Sequence, residues 1–314
     1  MKKNNDNNSK ENEYKAIPYN FFIEETRNGF TVTKKRKKMW AIELEMLNEL
    51  KRVCKKYNLT FYADSGTLLG AIREKGFIPW DDDIDIVMFR KDYDKLLKVG
   101  VEEIKKPFFL QCAYSDIDYY RGHAQMRFDG TAAILKHEAN KVAFHQGIFL
   151  DIFPLDYTDE TEKRKRAKCD RLKKYKQLFN VWTSGVRAYN QRCLLSKIKL
   201  LLCNVIGKKR IYKHYEKKCR NTKSNKKTVD KVSYYWDYEN YKNLNEEYFG
   251  DPVYMPFEFT EIPVPREYDT ILKKYYGDNY LCPQIKQSGH QLTSGDMIID
   301  TERSYQDILN QMNK

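Results

Sequence analysis

The sequence predicts an α/β protein, with a mixed α+β sheet in the first half and a helical, strongly basic second half. Three observations predict this. Short apolar runs of strand length, bounded by turn residues, recur between Leu59 and Phe153. Stretches of helical periodicity lie before and between them, beginning with the stripe Met39, Ile42, Met46, Leu50, Val53 and Tyr57. From Thr158 onward the pattern turns helical and lysine-rich. Strands interleaved with helices and then a helical run call for a mixed sheet with helices packed on it.

In chain order, residues 1–15 (MKKNNDNNSKENEYK) are polar with no apolar stretch behind the basic ones, so they read as a disordered tail and not a signal peptide. Residues 16–157 form the main core. Within it we expect a helix over 34–57, a strand over 59–63, a helix over 67–74, a Gly/Pro-punctuated loop, and a strand over 83–89. A helix over 91–104 follows, then strands over 108–113, 122–128, 132–135 and 147–153, with Asp129-Gly130 as a turn. Residues 158–232 form a basic helical region. Residues 233–314, rich in Tyr, Phe and Pro, complete the fold less regularly.

Composition narrows the class. No run of 18 apolar residues occurs, so no spanning helix is expected. The seven cysteines (54, 112, 169, 193, 203, 219 and 282) form no CxxC pair and are odd in number. That fits a reducing, cytoplasmic setting and excludes a zinc or disulfide framework. His123, His137 and His145 show no ligand spacing and read as structural or surface residues. The net charge of +13 is concentrated in 162–176 and 208–227. Solvated helix faces explain such runs; so does contact with an anionic membrane or glycan, whereas nucleic-acid motifs are missing. Between the two runs, 193–207 carries apolar residues at helical spacing with lysines between them, as a core or an interfacial helix.

The chemistry is concentrated in GFIPWDDDIDIVM, residues 76–88. Four carboxylates, Asp81, Asp82, Asp83 and Asp85, stand at the mouth of an apolar segment. On a strand, Asp81, Asp83 and Asp85 share one face, roughly 6.7 Å apart along the backbone. Like charges so close resist ionising together unless a cation neutralises them, and an all-oxygen set favours Mg²⁺, with Mn²⁺ the alternative. A solvated acidic turn is the plainer reading. Upstream, LTFYADSGTLLGAIRE reads as a strand, a Ser-Gly turn and a helix N-terminus, which suit an anion. Gly66 permits close backbone approach, while Ser65 and Thr67 add hydroxyls. Downstream, Asp151 interrupts the apolar strand of HQGIFLDIFPLD, and burying it is costly without a cation or strong donors. An edge position reaching water is the alternative for Asp151. Asp156, after Pro154, reads as a turn or capping residue.

The blocks ADSGTLLGAIREKGFIPWDDDIDIVM (63–88), GIFLDIFPLD (147–156) and IPVPREYDTILKKYYGDNYLCP (262–283) carry a family resemblance. Together they resemble the nucleotidyltransferase superfamily and, more closely, the LicD family, which is related to fukutin and fukutin-related protein. The resemblance implies a nucleotidyltransferase-like catalytic core over 16–157. It implies transfer of a phospho-alcohol, phosphocholine foremost, from a CDP-alcohol donor to a hydroxyl of a cell-surface glycan or lipid-linked glycan, releasing CMP. In that scheme Asp83, Asp85 and Asp151, with Asp81, hold one or two Mg²⁺ ions, and Ser65, Gly66 and Thr67 cradle phosphate oxygens. Arg73 is a candidate phosphate partner, or else half of an ion pair. Trp80 is placed to stack on a base or meet a choline cation, or else to anchor the loop by packing. The prolines 263, 265 and 283 suggest a rigid loop shaping a pocket. Such an enzyme would work in the cytoplasm, at the inner face of the membrane. A nucleotidyltransferase that adenylylates a small molecule, a sugar-nucleotide glycosyltransferase and a non-catalytic nucleotide-binding scaffold are the competing readings.

Overall fold

The computed structural model describes residues 17–158, 161–184, 205–220, 227–234, 238–283 and 295–313. The N-terminal tail and most of the segment 193–207 lie outside the described residues.

After a small hairpin (β1, Glu25–Arg27; β2, Phe30–Val32), helix α1 spans Lys34–Tyr57. Thr33 caps it by accepting from the Arg36 N–H at 3.3 Å, and Asn58 ends it in the left-handed region. Its stripe of Met39, Ile42, Met46, Leu50 and Val53 is fully buried, as the periodicity predicts.

The central sheet is mixed, with strand order β10-β9-β8-β4-β3, and β6 then β5 continue from the other part of β8. Here β3 is Tyr62–Ala63, β4 Asp85–Phe89, β5 Phe108–Gln111, β6 Ala124–Phe128, β8 Phe149–Tyr157, β9 Thr228–Asp230 and β10 Leu244–Asn245. Helix α2 (Ser65–Arg73) joins β3 to β4, and α3 (Arg90–Glu103) follows β4. Strands β4 and β8 run parallel and are buried on both faces by apolar side chains such as Ile86, Val87, Met88, Ile152 and Phe153.

Several boundaries differ from expectation for identifiable reasons. β8 does not stop at Phe153 but runs through Pro154 to Tyr157. The Asp151 N–H bonds the Ile84 carbonyl at 2.9 Å, so even-numbered residues direct their nitrogens to the opposite edge. On that edge β6 pairs only through Ile152 and β9 begins at Asp156, so the missing Pro154 N–H faces a gap between ladders. Asp156 is therefore a strand residue rather than a turn or cap, and it is ion-paired with Arg90. β4 begins at Asp85, leaving Asp81 to Ile84 outside the ladder, and β3 keeps only two of five expected residues.

The second half is helical and basic as predicted, and it also returns strands to the sheet. Helices α4 (Glu162–Ser184) and α5 (Lys208–Arg220) enclose an aromatic cluster of Tyr120, Phe179, Tyr212 and Tyr215. β9 then pairs with β8, and the hairpin β11 (Val253–Phe257) and β12 (Thr260–Val264) follows. Pro263 lies inside β12, paired with Tyr254, so this part of the block is a strand and not the expected rigid loop. Helix α6 is Tyr268–Tyr276. Strand β13 (Met297–Asp300) pairs with β7 (Ala132–Leu135), and α7 (Tyr305–Met312) packs on β7.

Candidate active site

The site forms where α2 leaves β3 and where β4 and β8 begin. Register places Asp85 directly opposite Asp151 on adjacent parallel strands. The Asp64 N–H bonds the Asp85 carbonyl at 3.0 Å, and the Asp85 N–H donates to the Thr67 hydroxyl at 2.8 Å. Thr67 thus fixes the start of β4 to the first turn of α2. The N–H groups of Ser65, Gly66 and Thr67 precede the first intrahelical bond, from Leu68 N to Asp64 O at 3.1 Å. Ser65 sits at φ +50°, a conformation that non-glycine residues adopt at a cost.

The acidic run reaches this point differently from an extended strand. Among the described residues, Asp81, Asp82 and Asp83 each bring a carboxylate oxygen within 4.8 Å of the others. Alternating strand faces would have turned Asp82 away; because this stretch precedes β4, all three converge. Two buried groups on α1 hold the turn, with Arg36 donating to the Asp81 carbonyl at 2.8 Å and Trp40 Nε1 at 3.1 Å. Asp81 also sits against the Ser-Gly turn: a Cβ at position 66 would lie 2.2 Å from Asp81 Oδ2. Gly66 therefore admits the Asp81 carboxylate.

Electrostatics link these carboxylates. Burial pushes the Asp83 carboxyl well above its ordinary range, reinforced by Asp85, Asp81, Asp82 and Asp151. Asp85 is likewise raised, by burial and then by Asp151. Burial would raise Asp151 too, but His123, Gln125 and Arg127 more than offset it, so this carboxyl is held low and ionised. His123 Nε2 lies 3.1 Å from Asp151 Oδ1, and Gln125 Nε2 donates to the same oxygen at 2.7 Å. Behind the cluster, the fully buried Glu43 of α1 is pushed up by burial and then by Asp82 and Asp81. Crowded, partly desolvated carboxylates of this kind suit a hard divalent cation with oxygen ligands.

Cationic and phenolic groups arrive from the C-terminal half. Lys231, next to β9, bonds the Asp64 carboxylate and lies 3.1 Å from Ser65 Oγ. The Tyr275 hydroxyl donates to Asp64 Oδ1 at 3.2 Å. Tyr276 is 45% exposed, and its phenol is raised by the partial desolvation of its inner part and then by Asp64, Asp81 and Asp85.

Arg73, Trp80 and His145 are each engaged in other contacts. Arg73 pairs with Glu74 at 2.6 Å and donates to the Tyr280 carbonyl at 3.2 Å. Trp80 is buried beneath the guanidinium of Arg73 and edge-on to Phe30. His145 bonds Asp129 at 2.8 Å, away from the cluster. From the sequence, Asp82 falls on the opposite strand face and His123 reads as structural or surface, while Gln125 and Lys231 carry no signal of their own. Lys231 has no local signal, since only the pairing of β9 with β8 brings it in. His123 and Gln125 could have been found by pairing β6 with β8 in register.

Residues 58–179 match the model of the LicD/FKTN/FKRP nucleotidyltransferase domain, which spans α2, β4 and β8 and hence every aspartate described above. These residues carry a LicD-type nucleotidyltransferase domain. It is 27% identical over 260 residues to the lipopolysaccharide cholinephosphotransferase LicD of Haemophilus influenzae, covering 79% of this chain and 93% of that protein. An uncharacterized protein of Rickettsia prowazekii is 29% identical over 111 residues, 35% of this chain and 39% of that one. A second, from Rickettsia typhi, is 40% identical over 48 residues, 15% of this chain and 16% of its own length. The match to the Haemophilus influenzae protein extends well beyond the domain, and Lys231 and Tyr275 lie outside residues 58–179.

Proposed function

We propose that this protein, with its LicD-type domain, is a transferase that moves phosphocholine, or a related phospho-alcohol, from a CDP-alcohol donor to a hydroxyl of a cell-surface glycan. The observation that carries the proposal is the juxtaposition of Asp85 and Asp151 in register beside the Ser65-Gly66 turn, joined by the converging Asp81, Asp82 and Asp83. The likeness to a lipopolysaccharide cholinephosphotransferase supports the choice of group transferred and of a glycan acceptor.

Asp83, Asp85 and Asp151, with Asp81 and Asp82 at the mouth, would hold Mg²⁺, or Mn²⁺ in its place. When bound, the ion would neutralise the donor diphosphate and stabilise charge on the transferring phosphoryl group. The first N–H groups of α2 present their positive ends to the same anion, with the Lys231–Asp64 pair beside them. Thr67 keeps Asp85 aligned, and Arg36 and Trp40 fix the acidic turn, so the carboxylates are placed before the donor arrives. The acceptor hydroxyl attacks the phosphorus nearer the choline, its proton passing to a carboxylate of the cluster, and CMP leaves.

Exposed cations on α4 (Lys163, Arg164, Arg171, Lys173, Lys174) and α5 (Lys209, Arg210, Lys213, Lys217, Lys218) support peripheral contact with an anionic surface at the inner face of the membrane. No helix among the described residues is long and apolar enough to cross a membrane.

The test is direct. The protein, CDP-choline and Mg²⁺ are incubated with lipopolysaccharide, teichoic acid or capsular glycan, and phosphocholine on the glycan is read by mass spectrometry alongside released CMP. Stoichiometric CMP and phosphocholine-modified glycan are expected. Release of pyrophosphate from a nucleoside triphosphate, with no CMP from any CDP-alcohol, would replace this reading with nucleotidyl transfer.

A further inference from the structure

Asp151 also lines a partly open cavity of about 120 Å³. Its walls include His123, Gln125, Arg127, Phe144, Gln146 and Asp151. Gln146 is the unexpected member. Its side chain is 98% buried, yet among the described residues neither its Oε1 nor its Nε2 meets a hydrogen-bonding atom. Its backbone is fixed, because the carbonyl accepts from the Ala133 N–H at 2.7 Å. A buried amide left unsatisfied costs roughly 1–3 kcal/mol, so a side chain retained this way calls for a partner in the space it lines.

The walls also define the partner's charge. Arg121 is paired with Glu138. Arg127 gives its N–H groups to Gln111 Oε1, the Gly147 carbonyl and Gln125 Oε1, with its face over the Phe149 ring. Two cations, Arg121 and Arg127, thus stand against two anions, Glu138 and Asp151, and neither an anion nor a cation is called for. What remains on offer is an amide donor beside an amide acceptor, plus His123 Nδ1, which has no partner among the described residues. His123 Nε2 faces the Asp151 carboxylate, so Nδ1 is the ring position left for a partner. Size is the last constraint. The cavity's volume is close to the roughly 150 Å³ of one that holds a single benzene ring, a scale that suits one six-membered ring better than a fused pair.

We infer that the cavity receives the pyrimidine base of the donor nucleotide, with Gln146 reading its amide-like edge. An amide can rotate to meet either cytosine or uracil, and the proposed CDP-alcohol donor makes cytosine the base it would read. The inference rests on the proposed CDP-alcohol donor and adds the residue that selects its base. Asp151 lines both the cavity and the carboxylate cluster, which puts base and diphosphate on either side of one side chain.

The test is calorimetric titration of the full chain in Mg²⁺ with CMP, UMP and ribose 5-phosphate, for wild type, Gln146→Met and Ala133→Leu. Wild type should bind CMP roughly 10-fold or more tighter than UMP or ribose 5-phosphate, the discrimination expected of a paired base edge. Gln146→Met should lose most of that advantage, leave ribose 5-phosphate binding unchanged, and melt no lower than wild type because an unsatisfied amide has been removed. Ala133→Leu, which fills the cavity with apolar atoms, should lose the same preference by an independent route. Unchanged CMP preference in both variants would overturn the base pocket while leaving the donor reading intact. A cavity that holds only ordered water would give that result. Failure of wild type to bind any cytidine nucleotide would remove the donor reading, and this inference with it.

Discussion

The Lys231 ammonium and the Asp64 carboxylate are bonded to each other in the interior, 167 residues apart in sequence. Both side chains are about 5–6% exposed, and Ser65 and Tyr275 complete the group. This contact ties the segment after α5 to the turn that opens α2, so the second half of the chain helps to build the site.

Removing one partner of that pair strands a buried charge. Lys231→Met should cost about 3–5 kcal/mol of stability, whereas Lys231→Met combined with Asp64→Asn should cost less than the sum of the two single changes. Urea denaturation of the four proteins measures the coupling. Strict additivity would show that the contact contributes nothing.

Asp85 and Asp151 repel each other across one ladder position in the absence of a cation. Asp85→Asn should therefore raise stability without Mg²⁺ by about 1 kcal/mol, while lowering turnover by roughly 100-fold or more. Melting temperature in chelator and initial rates in Mg²⁺ give the two numbers. A variant that is both less stable and fully active would contradict the assignment of Asp85.

Two glycines of one helix should respond differently to alanine. At Gly70 the new Cβ would lie 2.4 Å from the Gly76 carbonyl oxygen, a backbone atom, so Gly70→Ala should destabilise by about 1–3 kcal/mol. At Gly66 the obstacle is the Asp81 carboxylate, which can swing away. Gly66→Ala should leave stability within about 1 kcal/mol of wild type and reduce turnover roughly 10-fold or more, by displacing Asp81. Thermal melts paired with rate measurements separate the two.

Much of this was legible in the sequence because its signals are local. The α1 stripe, the Ser-Gly turn, the Asp run and the lone Asp151 each declare themselves within a dozen residues. The local signal failed where long-range pairing decides. Pro154 reads as a strand terminator until the gap between β6 and β9 is known, and Asp156 reads as a cap until Arg90 is placed beside it. Asp82 was assigned to the wrong face because the run converges before the strand begins. Lys231, at the end of a basic segment, is indistinguishable from its solvated neighbours until β9 joins β8. Pairing likewise puts His123 and Gln125 on Asp151, a role that composition and spacing do not announce.

One pH effect follows from a carboxyl outside the acidic cluster. Burial raises Asp230 from 3.8 to about 6, although the N–H groups of Asn243 and Lys231 oppose the shift. A raised carboxyl favours the folded state when protonated. Its contribution is complete below about pH 4 and is lost as pH rises through about 6, with a magnitude on the order of 3 kcal/mol. Asp230→Asn should flatten the stability profile between pH 4 and 6, measured by denaturation across that window. An unchanged slope would place the titration on another group.

The proposed role of the carboxylate cluster is to bind a CDP-alcohol with Mg²⁺. Thermal unfolding of the full chain with CDP-choline, CDP-ribitol, CDP-glycerol, ATP and UDP-sugars, each with and without Mg²⁺, tests it most directly. At a hundred times its dissociation constant a ligand adds about 2.7 kcal/mol to native stability. The account predicts a Mg²⁺-dependent rise in melting temperature with one CDP-alcohol, abolished in Asp85→Asn. Stabilisation by ATP or a UDP-sugar, with none from any CDP-alcohol, would contradict it.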